Sequence, residues 1–319
     1  MTVIVAVVGP TATGKSDLAL DLAERLSGEV VNADALQFYR GMDIGTAKLP
    51  VADRRGIPHH QLDVLDPDQD ATVAAYQTAA RADVAAIEAR GHRPVVVGGS
   101  GLYLRALLDR IEFPGTDPAL RAALEHRAEQ EGTRALFTEL RAADPAAAES
   151  IGPRNTRRIV RALEVIALTG RPYSANLPGH DYHRPAVQIG LDHDRAALDR
   201  RIEQRVDRMW RAGLVDEVRG LLASGGIGRT ASRAVGYAEV LAALRGEITE
   251  EQAREQIVAG TRRLARKQMG WFGRDPRVHW LDAQDPALLD RALDLVAAAD
   301  AGSLGLATED PAPRRSLGT

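Results

Sequence analysis

Three features of this 319-residue sequence predict an α/β fold built on a parallel sheet. Short β-branched apolar runs alternate with segments of helical periodicity, the pattern of strand–helix–strand crossovers. The runs are apolar throughout rather than at every second residue, as expected of strands covered on both faces. A glycine-rich turn joins the first run to the first helix. The first strand is "VIVAVVG", Val3 to Gly9. A helix opens near Lys15, carries a stripe of Leu18, Ala19, Leu22, Ala23 and Leu26, and stops at Ser27-Gly28. "EVVNAD", Glu29 to Asp34, is the second strand. A loop of roughly 35 residues follows, longer than an idle connection needs. Next come a helix from Thr72 to Arg90 and a strand, "RPVVVGG", from Arg93 to Gly99. From Asp117 to Gly170 the periodicity is helical, broken at Gly132, Pro145 and Gly152-Pro153. "PAVQIGLD" (Pro185 to Asp192) reads as a strand, Asp194 to Arg274 as a long helical stretch, and "RVHWLD" (Arg277 to Asp282) as the last strand before a helix reaching Ala299. The Gly-, Pro- and Ser-rich tail, 301–319, is expected to be disordered. This gives a core of residues 1–116 and 186–300 and a helical insertion domain of 117–185, with the 195–262 stretch able to project from the sheet as well.

The bulk composition is that of a soluble globular protein: 45% hydrophobic, 27% charged and a net charge of -3. No apolar run approaches the roughly 18 residues that a membrane helix needs, and "MTVIVAVVGP" lacks the basic start and cleavage site of a signal peptide. There is no cysteine, which excludes disulfides and cysteine-ligated zinc and is compatible with a reducing compartment. A cytoplasmic monomer without membrane contact is expected. Of 41 basic residues only Lys15, Lys48 and Lys267 are lysine. Lysine is a compact point charge where arginine is a planar fork, so these are candidate phosphate-facing positions.

"GPTATGKS" comprises Gly9, Pro10, Thr11, Ala12, Thr13, Gly14, Lys15 and Ser16. It fits the phosphate-loop pattern G-x-x-x-x-G-K-[ST] and lies between a strand and a helix, the context that confirms it. The predicted core is therefore P-loop NTPase-like. Backbone N–H groups of such a loop point at phosphate oxygens, Lys15 adds a positive charge, and the Ser16 hydroxyl suits a Mg2+ ion bridging phosphates. No N-K-x-D occurs for guanine recognition, and "PVVVGG" ends in glycines where a motor ATPase carries its magnesium aspartate. What remains is the layout of small kinases, with a carboxylate, Asp34, at the end of the second strand. By chain position alone Asp34 is either a catalytic carboxylate or one that holds magnesium or caps a loop.

Further blocks extend this reading. "NADALQFYRGMDIGTAK" follows the second strand. "GIPHHQLDVLDP" (Gly56 to Pro67), "VGGSGLYL" (Val97 to Leu104), "NTRRIVRALEV" (Asn155 to Val165), "RAVGYAEV" (Arg233 to Val240) and "TRRLARKQMGWF" (Thr261 to Phe272) come later. With the phosphate loop these seven ordered blocks resemble the tRNA dimethylallyltransferase (tRNA isopentenyltransferase) family over nearly the full length. Ala35 departs from a serine in the family pattern, Ser100 from a threonine whose hydroxyl it keeps, and Gly270 from a threonine. The resemblance implies transfer of a dimethylallyl group from dimethylallyl diphosphate to N6 of the adenosine at position 37 of tRNA, 3′ of the anticodon, with release of pyrophosphate. It implies catalytic roles for Asp34, Ser100 and Lys15, with the phosphate loop holding the diphosphate. It implies tRNA contacts by Asp34, Ala35, Leu36, Gln37, Ser100, Arg121, Arg157, Arg158, Arg161, Arg233, Gly236, Tyr237, Arg266, Lys267, Gln268 and Trp271.

The chemistry suits these residue types. The adenine amine is a weak nucleophile, whereas an allylic carbon is a good electrophile once pyrophosphate begins to leave. Loop amides, Lys15 and Mg2+ stabilise the leaving charge. Asp34 takes the amine proton as general base, Ser100 orients Asp34 or the amine, and Gln37 offers both a donor and an acceptor to a base edge. The target base must leave the stack of the anticodon stem-loop to reach an enclosed site. Arg154 to Arg171 holds five arginines and one glutamate, and Arg262 to Arg277 six basic residues and one aspartate. These clusters read as phosphate contacts or as solvated helix faces. Arg205 and Arg262 are alternative diphosphate ligands, and Lys48 a further phosphate contact. His59-His60 lacks a third ligand at zinc spacing and reads as structural, and Trp210 and Trp280 read as core. A P-loop small-molecule or nucleotide kinase, or a non-catalytic RNA-binding module, would share parts of this pattern.

Overall fold

The computed structural model describes residues 2–176 and 179–305. Most of the tail expected to be disordered, from residue 306 on, lies outside them. Six strands form one all-parallel sheet in the order β3-β2-β4-β1-β5-β6. They are β1 (Ile4–Val8), β2 (Gly28–Asn32), β3 (His59–His60), β4 (Arg93–Val97), β5 (Ala186–Asp192) and β6 (Val278–Asp282). The helices are α1 (Lys15–Arg25), α2 (Val73–Ala89), α3 (Gly101–Leu108), α4 (Pro118–Gln130), α5 (Thr133–Ala143), α6 (Pro145–Ile151), α7 (Thr156–Thr169), α8 (Arg195–Arg211), α9 (Leu214–Ala223), α10 (Tyr237–Leu244), α11 (Glu250–Phe272) and α12 (Leu288–Asp300).

The period-two geometry of a strand sorts β1 between two cores. Ile4, Ala6 and Val8 join a cluster with Tyr76, Val84 and Ile87 of α2 and Leu104 and Leu107 of α3. Val5 and Val7 join the opposite one, with Leu18 and Leu22 of α1 and Ala292 and Val296 of α12. Burial on both faces is why the run is apolar without alternation. Two-residue β3 lay inside what the sequence presented as a loop. His60 Nε2 and His92 Nδ1 each lie 2.6 Å from a carboxylate oxygen of the buried Glu29, which Arg90 also grips at 2.7 Å. Trp210 and Trp280 are partly buried against apolar clusters.

The long helical stretch from Asp194 comprises four helices, α8 to α11. Gly213 (φ +94°) separates the first two, and Gly225, Gly226 and Gly246, also at positive φ, mark later breaks. These helices share a third core with the long loop after β2: Tyr39 and Met42 pack with Val206, Leu214, Val218, Tyr237, Val240 and Ile257.

The chain divides into two compact units, 1–108 with 182–319, and 109–181. The smaller unit has its own core of Leu124, Leu136, Leu140, Ile159 and Leu163. In the same unit Glu164 is fully buried and bonded to Thr116 Oγ1 (2.6 Å), Arg121 Nη2 (2.7 Å) and Arg161 Nη1 (2.8 Å). Burial works to raise its pKa, but the Thr116, Arg161 and Arg121 hydrogen bonds outweigh it and hold the carboxyl down at about 2. A depressed folded-state value means stability that is present above the ordinary 4.5 and is lost as pH falls through about 2. Acidification across that window is therefore expected to lower the thermal midpoint of the parent chain more than that of Glu164→Gln. Equal slopes for the two, followed by circular dichroism, would contradict this.

Candidate active site

The phosphate loop is shaped by its glycines. A Cβ on Gly9 (φ +129°) would fall 2.7 Å from the Leu191 carbonyl oxygen, and Gly14 (φ +91°) turns the chain into α1 in the left-handed region. Thr13 Oγ1 and Lys15 Nζ both donate to the Pro10 carbonyl, at 2.9 and 2.5 Å. Burial lowers the Lys15 pKa to about 7; the Asp34 charge opposes this and Arg205 adds to it. Burial also lowers the pKa of Arg205, with Asp34 opposing. Two cations beside one carboxylate leave room for an anion that would favour both charged forms. The space for it is a polar cavity of about 340 Å³. Gly14, Lys15, Ser16 and Asp17 line it from the loop side, and Arg201, Gln204, Arg205 and Arg208 from one face of α8.

A second cavity, about 270 Å³, is also lined by Arg205. Leu36, Leu102, Val206, Met209, Val235, Ile257 and Leu264 give it an apolar lining, with Thr11, Asp34, Ser100, Lys267, Gln268 and Trp271 also on its walls. Asp34 stands at the end of β2 with its N–H fixed by Asn32 Oδ1 at 2.9 Å. Its Oδ1 caps the following turn, accepting from the Leu36 N–H at 3.1 Å. Oδ2 has no hydrogen-bond partner among the described residues and remains available to a donor in the cavity. Ser100 Oγ accepts from the Ala35 N–H at 3.2 Å, so it positions the backbone beside Asp34 rather than the carboxylate itself.

The glycines after β4, which in the sequence marked the absence of an aspartate and belong to the "VGGSGLYL" block, have a steric reason. A Cβ on Gly98 would meet the Ala33 carbonyl carbon at 2.4 Å. One on Gly99 would meet Gln268 Nε2 at 2.2 Å, and one on Gly101 the Trp271 Nε1 at 2.0 Å. α11 is thereby seated on the phosphate loop: Gln268 accepts from the Thr11 N–H (2.8 Å) and donates to the Gly99 carbonyl (3.1 Å).

Several residues expected to meet tRNA have other primary partners. Gln268 is buried in that bridge. Tyr237 is fully buried beneath Gly45, its hydroxyl donating to Glu217 at 2.6 Å, so it does not present its ring to a base. Gln37 donates to the Thr46 carbonyl at 3.2 Å and does not line the cavity. Arg121 and Arg161 hold Glu164. Lys48 does not face a phosphate: it is buried, bound to Asp63, Asp43 and the Tyr39 carbonyl at 2.5, 2.6 and 2.7 Å. Arg262 is held by Glu203 and Asp199 of α8, whereas Arg205 faces both cavities. Arg157, Arg158, Arg233, Arg266 and Lys267 are exposed and form no ion pair among the described residues. Gly270 faces open space, so the missing threonine leaves no packing defect. Arg201, Arg208 and Glu217 were missed. The i, i+4, i+7 spacing of Arg201, Arg205 and Arg208 was a signal for the first two; nothing in the local sequence marked Glu217.

A parallel-sheet phosphate loop, a cationic cavity and an adjoining apolar cavity with a free carboxylate oxygen define a P-loop group-transfer enzyme. The comparisons with known proteins narrow this. A family model described as IPP transferase matches residues 37–275, and one described as isopentenyl transferase matches residues 2–59. A tRNA dimethylallyltransferase of Nocardioides sp. is 59% identical over 93% of this chain and 96% of its own. One of Streptomyces avermitilis is 61% identical over 87% and 89%. Among solved structures, the full-length tRNA isopentenylpyrophosphate transferase of Bacillus halodurans is 37% identical, with a TM-score of 0.70 over 95% of this chain and 98% of that one. A eukaryotic dimethylallyltransferase acting on tRNA is 25% identical, with a TM-score of 0.83 over 97% and 82%. The chain belongs to the IPP transferase family, whose curated relatives are tRNA dimethylallyltransferases.

Proposed function

We propose that the chain transfers the dimethylallyl group of dimethylallyl diphosphate to N6 of the adenosine at position 37 of tRNA, next to the anticodon, and releases pyrophosphate. The observation that carries this reading is the pair of cavities sharing Arg205. One is cationic and sized for a diphosphate. The other is mainly apolar, as a prenyl tail requires, with Asp34 and Ser100 on its wall. A short prenyl diphosphate has this same polarity, and the bond that breaks joins its two halves.

In this reading Lys15, Arg205 and the loop N–H groups hold the diphosphate and stabilise the charge that grows on it as the C–O bond breaks. Asp34 Oδ2 accepts the amine proton as the new C–N bond forms. Ser16 lines the polar cavity with a hydroxyl that makes no hydrogen bond among the described residues, a hard oxygen donor that fits Mg2+. Those residues contain no cluster of three or more His, Cys, Asp or Glu able to hold a metal, so phosphate oxygens and water would complete the coordination. Bound magnesium would supply further charge neutralisation at the leaving group. Among the described residues no helix is long and apolar enough to cross a membrane. A monomer acting on tRNA in the cytoplasm is part of this proposal.

The test is incubation with labelled dimethylallyl diphosphate, magnesium and unmodified tRNA. Label is expected on the adenosine 3′ of the anticodon. No label in any tRNA with adenosine at that place, or turnover of γ-labelled ATP with a small acceptor instead, would overturn the proposal.

A further inference from the structure

We propose that Glu217 is a positioning residue that aims Arg205 through the backbone of residues 43–46. This rests on the reading above that Arg205 faces a diphosphate. Glu217, in the first turn of α9, lines neither cavity. Its Oε2 accepts from the N–H groups of Asp43 (2.9 Å) and Ile44 (2.6 Å), and its Oε1 from the Gly45 N–H (3.1 Å) and the Tyr237 hydroxyl (2.6 Å). Four neutral donors converge on one carboxylate, which has no cationic partner among the described residues. Three successive backbone N–H groups in a turn form an anion nest, and here the anion is part of the protein. The tyrosine ring closes the arrangement, since a Cβ on Gly45 would lie 2.5 Å from it.

The next residue links this clamp to the site. The Thr46 carbonyl accepts from Arg205 Nη2 and from Gln37 Nε2, each at 3.2 Å. That carbonyl is the hydrogen-bond partner of the Arg205 guanidinium, which forms no ion pair among the described residues. The aim of the guanidinium at the junction of the two cavities therefore depends on where the 43–46 turn is held. The Thr46 hydroxyl, donating to the Met42 carbonyl at 2.6 Å, and Lys48, gripping Asp43 at 2.6 Å, stiffen the same turn.

Glu217→Gln places an amide donor among N–H donors, and Tyr237→Phe removes one of the four bonds while keeping the carboxylate. Each is made in the full chain with Arg205 present and with Arg205→Ala, and inorganic pyrophosphate is titrated calorimetrically. Glu217→Gln is expected to weaken pyrophosphate binding about tenfold and Tyr237→Phe about threefold. In the Arg205→Ala background neither weakens it by more than about twofold, because effects that run through one group do not add. Equal weakening in both backgrounds, no weakening by either variant, or a parent chain that binds no pyrophosphate overturns the inference. Where Glu217→Gln fails to fold, the Tyr237→Phe cycle decides alone. Pyrophosphate binding needs no prenyl transfer, so a parent chain that shows the expected cycle but labels no tRNA overturns the proposed function and leaves the positioning role intact.

Discussion

Asp34→Asn is expected to lower turnover by at least about 10²-fold while tRNA affinity stays near that of the parent, the loss typical of removing a general base. The substitution keeps shape and a cap: the amide oxygen can still accept from Leu36 N–H, as Asp34 Oδ1 does at 3.1 Å. What changes is the free second oxygen, which becomes an NH₂ group unable to take a proton from an amine. It also removes the negative charge that favours charged Lys15 and Arg205. Single-turnover measurement with preformed tRNA complex separates the two effects. A pure base role slows the chemical step at saturating donor, whereas a purely electrostatic role appears as a change in donor affinity. Unchanged single-turnover rates would remove Asp34 from the chemistry. A non-catalytic RNA-binding module predicts kept affinity and no turnover in the parent to lose.

Lys15→Ala is expected to cost a similar factor, about 10²–10³ in kcat, as for the loss of one preorganised charge at a leaving group. Lys15 Nζ sits at 2.5 Å from the Pro10 carbonyl, and Lys15 lines the polar cavity. Without an anion it is costly to keep charged there, as its lowered pKa shows. A group that is poorly solvated before substrate binds and well paired afterwards gains most when negative charge grows on the diphosphate, so the loss falls mainly on kcat. A rise in donor KM alone, with kcat unchanged, would show that Lys15 binds ground and transition states equally. tRNA affinity measured without donor is expected to be unchanged.

The parts of this molecule fixed by local chemistry were legible in the sequence. β1 is apolar because both faces are covered, and the phosphate loop needs glycine at Gly9 and Gly14 for reasons of backbone geometry. Asp34 was legible as a strand-end carboxylate with loop capping among its readings, although the division into one capping and one free oxygen was not. The α8–α11 breaks were hidden because glycine is ambiguous. Gly213 and Gly246 sit at positive φ and end helices, while Gly220 and Gly260 lie inside α9 and α11. Gly260 is there for packing, with Val235 Cγ1 3.1 Å from where its Cβ would be. Motif membership did not separate surface from core. Lys48, Tyr237 and Gln268 belong to blocks that carry site residues, yet each is buried on a partner far along the chain or across the loop. Glu217 is the extreme case. Its partners, residues 43–45, are brought to it only by the third core.

One diphosphate donor is expected to fill both cavities at once. A structure of the chain with a non-reactive dimethylallyl thiodiphosphate tests this most directly. It should show the diphosphate between Lys15 and Arg205 and the prenyl carbons against Val206, Met209 and Ile257, with the bond to be broken beside Asp34. A diphosphate bound away from Lys15, or a prenyl tail directed into solvent with the apolar cavity filled only by water, would contradict it.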